Sequence, residues 1–323
     1  MSRRVVLLLV AAACALGAAG CGGSNGGGGE QGAPATLNVG VIPIVDVAPL
    51  YLGREKGFFK QEKLTVKPQL AEGGAAIVPA VVSGDNQIGF SNTTSLIVAA
   101  SKKLPLQILA QGVAGGPKPT AKQAYDAVLV KKGGPIKSAK DLEGKTIAVN
   151  TLQNVGPLTV NTALKQQGVD YKKVKYTEIP FPDMGAALEQ GRVDAAWVVE
   201  PFVTQGKAQG ARALLYPFEQ TAANLTVASY FAATPYIEKN ADVVDRFVRA
   251  MNKSLDYAQD HPDEVRKVVP TYTQIPPAAA KRMVLPQWSS DIGRPTIERT
   301  SKLAAEYGFV KSEPDLDELI RQK

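Results

Sequence analysis

Chemistry that needs a thiol or an imidazole has little to draw on in this chain of 323 residues. It contains two cysteines, Cys14 and Cys21, both near the N-terminus, and one histidine, His261. Disulfides, zinc–cysteine sites and a cysteine nucleophile are therefore excluded from the body of the protein. A Ser/His/Asp triad would have to be built on His261, which sits in Asp260-His261-Pro262-Asp263, a polar opening to an exposed helix. The sequence predicts neither a cofactor nor a metal site. What remains are short segments rich in small hydroxyl and amide side chains, with isolated acids among them. They are Pro43–Val47, Glu72-Gly73-Gly74, Ser91–Thr94, Asn150–Gly156, Phe181–Met184 and Glu200-Pro201-Phe202. None contains lysine or arginine, whereas Asp46, Glu72, Asp183 and Glu200 are all present. Such side chains suit hydrogen bonding to a small polar molecule. A purely anionic one would meet carboxylates at close range and would have to rely on backbone N–H groups. Ser91, Asn92 and Asn154 are also ordinary helix caps, a role that can coexist with ligand contact.

These segments need a scaffold that gathers them. Short apolar runs alternate with helical patterns from Thr36 onward. Strands are predicted at 37–42, 64–66, 87–90 and 106–110, with helices after Ala48-Pro49, at 74–82 and at 93–100. A second series has strands at 127–130, 146–149, 176–179 and 195–199. Its helices fall at 154–167, 183–190 and 201–209, and Ser138 with Asp141 forms a capping box. The β-α-β rhythm predicts two α/β lobes, each with a mostly parallel sheet. After an extended run at 225–231 the pattern is helical at 243–258, 262–269, 277–285 and 296–307. Those helices are expected to return and cover the first lobe. Two lobes also agree with length, since one core rarely grows beyond about 250 to 300 residues. The predicted division is residues 36–124 with 229–323 as the first lobe and 125–228 as the second, with crossings near 122–128 and 224–231. In open α/β sheets ligands bind beyond the carboxyl ends of the strands, where the loops above would fall. The candidate contacts are Ile44, Asp46, Ser91, Asn92, Thr93, Thr151, Asn154, Val155, Asp183, Trp197 and Glu200. Tyr51, Phe181, Phe202 and Trp197 could offer a stacking face, although Trp197 closes a strand as a core residue would.

The N-terminus reads as an export signal. Arg3 and Arg4 precede an apolar run from Val5 to Leu16 and then small residues. Ala18-Ala19-Gly20-Cys21 resembles the bacterial lipobox, which implies a signal peptide over residues 1–20 and lipid attachment at Cys21. The glycine-rich segment 21–35 would be a tether spanning about 20 Å. An exported protein anchored at the outer face of the cytoplasmic membrane, or in the periplasm, is the expectation. Without Arg3 and Arg4 the chain keeps 35 basic against 30 acidic side chains. With no basic run, it gives nucleic-acid binding no support.

Four signatures carry a resemblance across nearly the whole chain. They are Lys56-Gly57-Phe58-Phe59; Gly84-Asp85-Asn86-Gln87-Ile88-Gly89-Phe90; Ile136-Lys137-Ser138 with Asp141-Leu142 and Gly144-Lys145; and Gly191-Arg192-Val193-Asp194-Ala195-Ala196-Trp197. In this order they resemble the solute-binding proteins of nitrate/sulfonate/taurine-type ABC transporters, a group that includes thiamine-pyrimidine-binding proteins. The resemblance implies a type II periplasmic-binding fold, two α/β lobes on a two-crossing hinge. It also implies a small ligand held between the lobes, a monomer, and an ABC permease with its ATPase as partners. It extends to fungal-type thiamine-pyrimidine synthases, enzymes on the same fold. Their cysteine-rich motif is missing here, and the only histidine lies in the helical C-terminal region. A tethered sensory module is a third possibility, sharing the binding chemistry and differing in its partner.

Overall fold

A computed structural model describes residues 32–322 of the chain. The export signal, Cys21 and nearly all of the glycine-rich segment lie outside the described residues. The strands are β1 (Ala35–Val41), β2 (Leu64–Leu70), β3 (Ile88–Asn92), β4 (Leu106–Ala114), β5 (Asp126–Lys131), β6 (Thr146–Val149), β7 (Lys175–Glu178), β8 (Ala195–Val199), β9 (Ala211–Leu215) and β10 (Thr226–Ala233). The helices are α1 (Ala48–Glu55), α2 (Phe58–Gln61), α3 (Gly74–Val82), α4 (Thr93–Ser101), α5 (Val155–Gln166), α6 (Phe181–Glu189), α7 (Phe202–Ala208), α8 (Pro217–Thr221), α9 (Thr234–Lys239), α10 (Ala241–Asp260), α11 (Pro262–Val268), α12 (Pro277–Ala280), α13 (Arg294–Glu306) and α14 (Leu316–Leu319).

The strands form two five-stranded sheets, ordered β2-β1-β3-β10-β4 and β7-β6-β8-β5-β9. Each contains one antiparallel member: β10 runs against β3 and β4, and β5 against β8 and β9. These two strands are the ones that follow a passage of the chain from one sheet to the other. A strand that starts at the crossing runs away from it, whereas its neighbours run toward it. The crossings lie between Ala114 and Asp126 and between Leu215 and Thr226. They are hydrogen bonded to each other, Gly115 N–H to Leu225 O at 2.9 Å and Asn224 N–H to Gly116 O at 3.1 Å.

The helices follow their sequence patterns closely, with instructive exceptions. In α10 the buried residues Val244, Phe247, Ala250, Met251, Leu255 and Ala258 fall at helical spacing and cover α1, α2 and β4 of the first sheet. The capping box at Ser138 and Asp141 is present, on a short 3-10 turn. The helix expected over 277–285 stops at Ala280. Beyond it the chain is drawn to the crossing, where Ala114 and Gln287 exchange backbone hydrogen bonds of 2.8 and 2.9 Å. Long-range pairing there overrides local helix propensity. The strand β9, with its half-buried residues, was not anticipated. Nor do all the C-terminal helices serve the first sheet alone. The helix α13 packs on α4 and also on α5, and just beyond it the Tyr307 hydroxyl donates to Thr162 Oγ1 at 3.1 Å.

Candidate functional site

The loops at the carboxyl ends of both sheets meet. The β1 loop touches the β8 loop directly, Val45 N–H donating to Glu200 O at 3.2 Å while Glu200 N–H donates to Tyr125 O at 2.9 Å. Farther out, a Cβ placed on Gly73 would stand 3.1 Å from Thr151 Cγ2, so the start of α3 abuts the loop after β6. Beside these contacts a cleft of about 290 Å³ opens. The first-sheet side contributes Ile42, Pro43, Ile44, Leu70, Ala71 and Glu72. The second-sheet side contributes Pro180, Phe181, Pro182, Asp183 and Phe202, with the Phe181 and Phe202 rings stacked at 5.6 Å. Leu70 and Leu152 are 63% and 44% exposed, two of only three large apolar side chains exposed among the described residues. Leu70 ends β2 and lines the cleft, and Leu152 lies in the loop between β6 and α5. The cleft walls contain carboxylates but no lysine or arginine.

Of the residues expected at a ligand, Ile44 and Asp183 line this cleft. The others lie around it, mostly buried and engaged by the protein. Asn92 caps α4, its Oδ1 accepting from Ser95 N–H at 2.8 Å. Asn154 caps α5 through Gly156 N–H and donates to Asn150 Oδ1 and Thr151 Oγ1. Val155 is the buried first residue of that helix. Thr93 Oγ1 donates to Thr226 O at 2.9 Å. Ser91 differs, because its hydroxyl is buried and unpartnered. It faces the start of α3, whose N-cap Gly73 has no side chain to offer the free N–H groups. A Cβ on Gly74 would stand 3.1 Å from the Ser91 Cα and overlap its side chain, so glycine lets strand and helix end approach.

Asp46 and Glu200, 2% and 1% exposed, face the interior where the two sheets' loops join. Asp46 Oδ2 accepts from the Tyr125 hydroxyl at 3.3 Å, its Oδ1 has no partner, and its carbonyl oxygen accepts from Trp288 Nε1. Burial pushes its carboxyl up to about 7. Glu200 accepts from the Thr204 N–H and hydroxyl and from Val284 N–H, and burial raises it to about 6. Trp197 is buried, and its indole N–H donates to Asp126 at 3.1 Å. Tyr51 stacks on Tyr272 at 3.9 Å, away from the cleft. His261 stacks on Tyr257 and opens α11. Pro43 and Pro182 fall in loops that the sequence points to, but sequence reasoning missed Ile42, Leu70, Ala71 and Pro180 as wall residues. Their common signal is an apolar residue at or just beyond a strand's carboxyl end.

Asn92→Ala removes the cap of α4 and is expected to cost about 1 kcal/mol, read as a shifted urea midpoint. Glu200→Ala should cost more, about 2 kcal/mol, because three donors, two of them buried, lose their acceptor.

Two α/β sheets joined by paired crossings, with loops from both around one cleft, make up a periplasmic-binding-protein fold. The family described as NMT1/THI5 like matches residues 44–265, and the chain belongs to it. It is 30% identical over 195 residues to the taurine-binding periplasmic protein of Escherichia coli (strain K12), covering 60% of this chain and 57% of that one. It is 34% identical over 124 residues to the putative aliphatic sulfonates-binding protein of the same organism, covering 38% and 37%. These matches thus span about half of each relative or less. The fold is shared with the periplasmic nitrate-binding protein NrtA from Synechocystis PCC 6803, with a TM-score of 0.75 at 15% identity over 89% of this chain and 86% of that one.

Proposed function

We propose that this protein is the exported solute-binding component of an ABC importer. It captures a small organic solute between two lobes, residues 36–124 with 229–323 and residues 125–228, and delivers it unchanged to a membrane permease. The observation that carries this reading is the cleft itself, whose walls come from both sheets. A ligand touching both halves favours the closed arrangement by its differential contacts alone. The names of the relatives, taurine- and sulfonate-binding, point to a sulfonate-class solute. Anchoring through a lipid on Cys21 belongs to the same proposal, as does delivery by a monomer. No covalent step is proposed.

The polar groups suggest how such a solute would lie. The open N-terminus of α3, with the unpartnered Ser91 hydroxyl beside it, suits an anionic oxygen. The acidic walls, with Asp46 behind them presenting one unpartnered oxygen, suit an amine or another donor at the opposite end. The stacked Phe181 and Phe202 rings suit the apolar part between. An amino-sulfonate satisfies all three demands. Calorimetry against taurine, alkyl sulfonates, nitrate and aminopyrimidines tests the assignment. Taurine-like compounds are expected to bind most tightly, and tight binding confined to plain nitrate or an alkyl sulfonate would overturn the need for a donor end. Release of a chemically altered compound would overturn binding without catalysis.

A further inference from the structure

We propose that Asp126 and Glu219 share one proton in a carboxyl–carboxylate hydrogen bond, forming a proton-dependent clamp on the two crossings between the sheets. Asp126 opens β5 directly after the first crossing, and Glu219 lies in α8 on the approach to the second. Each carboxyl has one oxygen held by the protein. Glu219 Oε1 accepts from Gly116 N–H, in the first crossing, at 2.8 Å. Asp126 Oδ2 accepts from Trp197 Nε1 at 3.1 Å and from Phe218 N–H at 3.3 Å. The other two oxygens, Asp126 Oδ1 and Glu219 Oε2, are buried without any donor, and α8 packs against β5, with the N–H that Asp126 accepts belonging to Phe218, the residue next to Glu219. Two ionised carboxylates would leave like charges facing each other in the interior. A single proton supplies the one donor that the geometry lacks.

No other group supplies it. Among the described residues no lysine, arginine or histidine forms an ion pair with either carboxyl, and no cluster of three or more metal-ligating side chains is present. The titratable neighbours are Tyr125, Tyr216 and, beyond Tyr125, Asp46. The Tyr125 hydroxyl donates to Asp46 rather than to the pair. Arg299 of α13 directs its Nε to Thr221 O on α8. Burial and the neighbouring acid hold Asp126 well above the usual carboxylate range, and burial pushes Glu219 up to about 7, so Asp126 carries the proton and donates it to Glu219. Both groups are raised above their unfolded values. The pair's contribution to stability is therefore fully present below about pH 4, where both carboxyls are protonated; it falls as Glu219 deprotonates near 7, which leaves the single shared proton, and is lost when that proton leaves at higher pH.

The test uses amides as fixed donors. In Glu219→Gln the amide oxygen can stay on Gly116 N–H while the NH₂ replaces the shared proton. Asp126→Asn can do the same from the other side, keeping its oxygen on Trp197. Wild-type Tm is expected to fall between about pH 5 and pH 8, and each single variant should lose a large part of that fall. Asp46 and Glu200 titrate equally in all of them and leave the same residual slope. The double variant places two NH₂ groups face to face without an acceptor, so its Tm should lie below both singles at every pH. Singles that keep the wild-type slope, or a double as stable as the better single, would overturn the proposal. Should the variants fail to fold, Asp46→Asn alone decides it. Its infrared spectrum must retain a buried protonated carboxyl at about pH 7.5, and absence of that band sinks the shared proton.

Discussion

Gly74→Ala is expected to weaken solute binding about tenfold or more while leaving the fold intact. The new methyl has no free volume, because its carbon would overlap the Ser91 hydroxyl and stand 3.1 Å from the Ser91 Cα. Relief requires the start of α3 to move off β3, and crowding of this kind costs about 1–3 kcal/mol. The groups displaced are those proposed to meet the anionic end of the solute, so the same strain appears as lost affinity, at about 1.4 kcal/mol per factor of ten. Calorimetry with the tightest compound of the panel measures it. Gly84→Ala is the control. Gly84 has φ of +89 and open space around a Cβ, so its substitution costs about 1 kcal/mol of stability by backbone strain alone. If both variants lose stability alike and neither loses affinity, the start of α3 is scaffold and the solute lies elsewhere.

Trp197→Ala is expected to destabilise the protein by about 4 kcal/mol, the largest loss among the substitutions considered. The ring lies 5.8 Å from Phe181 and 5.7 Å from Phe218, and a Cβ on Gly156 would stand 2.5 Å from its Cε3. Removing it empties the space between β8 and α5 and takes a donor from a buried carboxylate oxygen of Asp126. Trp197→Phe keeps most of the volume and should cost about 1–2 kcal/mol, mainly the unsatisfied acceptor. Urea unfolding with an unchanged slope measures both. A loss of affinity with the midpoint untouched would instead make the indole a ligand surface.

The acids illustrate what a sequence conceals. That Asp46, Glu72, Asp183 and Glu200 occupy loops at strand ends is legible, because strand periodicity locates the ends. Which of them faces solvent is not. Glu72 and Asp183 line the open cleft, whereas Asp46 and Glu200 are enclosed where the β1 and β8 loops join. Nothing local separates the two kinds, since burial depends on how closely the second sheet's loops approach the first. Asp126 and Glu219 went unremarked for the same reason. They are 93 residues apart in number, and they become neighbours because α8 packs against β5 beside the first crossing. Strand β9 was hidden by its half-buried, mixed composition, which lacks clean alternation.

Composition and pattern alone confined the thiols to the first 21 residues and imidazole to His261, and established that apolar runs of strand length alternate with amphipathic helices. They also located the strand ends near which polar loops would gather, since hydrophobic periodicity is local and survives without any partner. Only the tertiary structure decided which strand in each sheet reverses, where the helix at Ala280 must stop, and which polar atoms are left in the interior without a partner. Those outcomes depend on pairings across some fifty to two hundred residues, and no local preference encodes them.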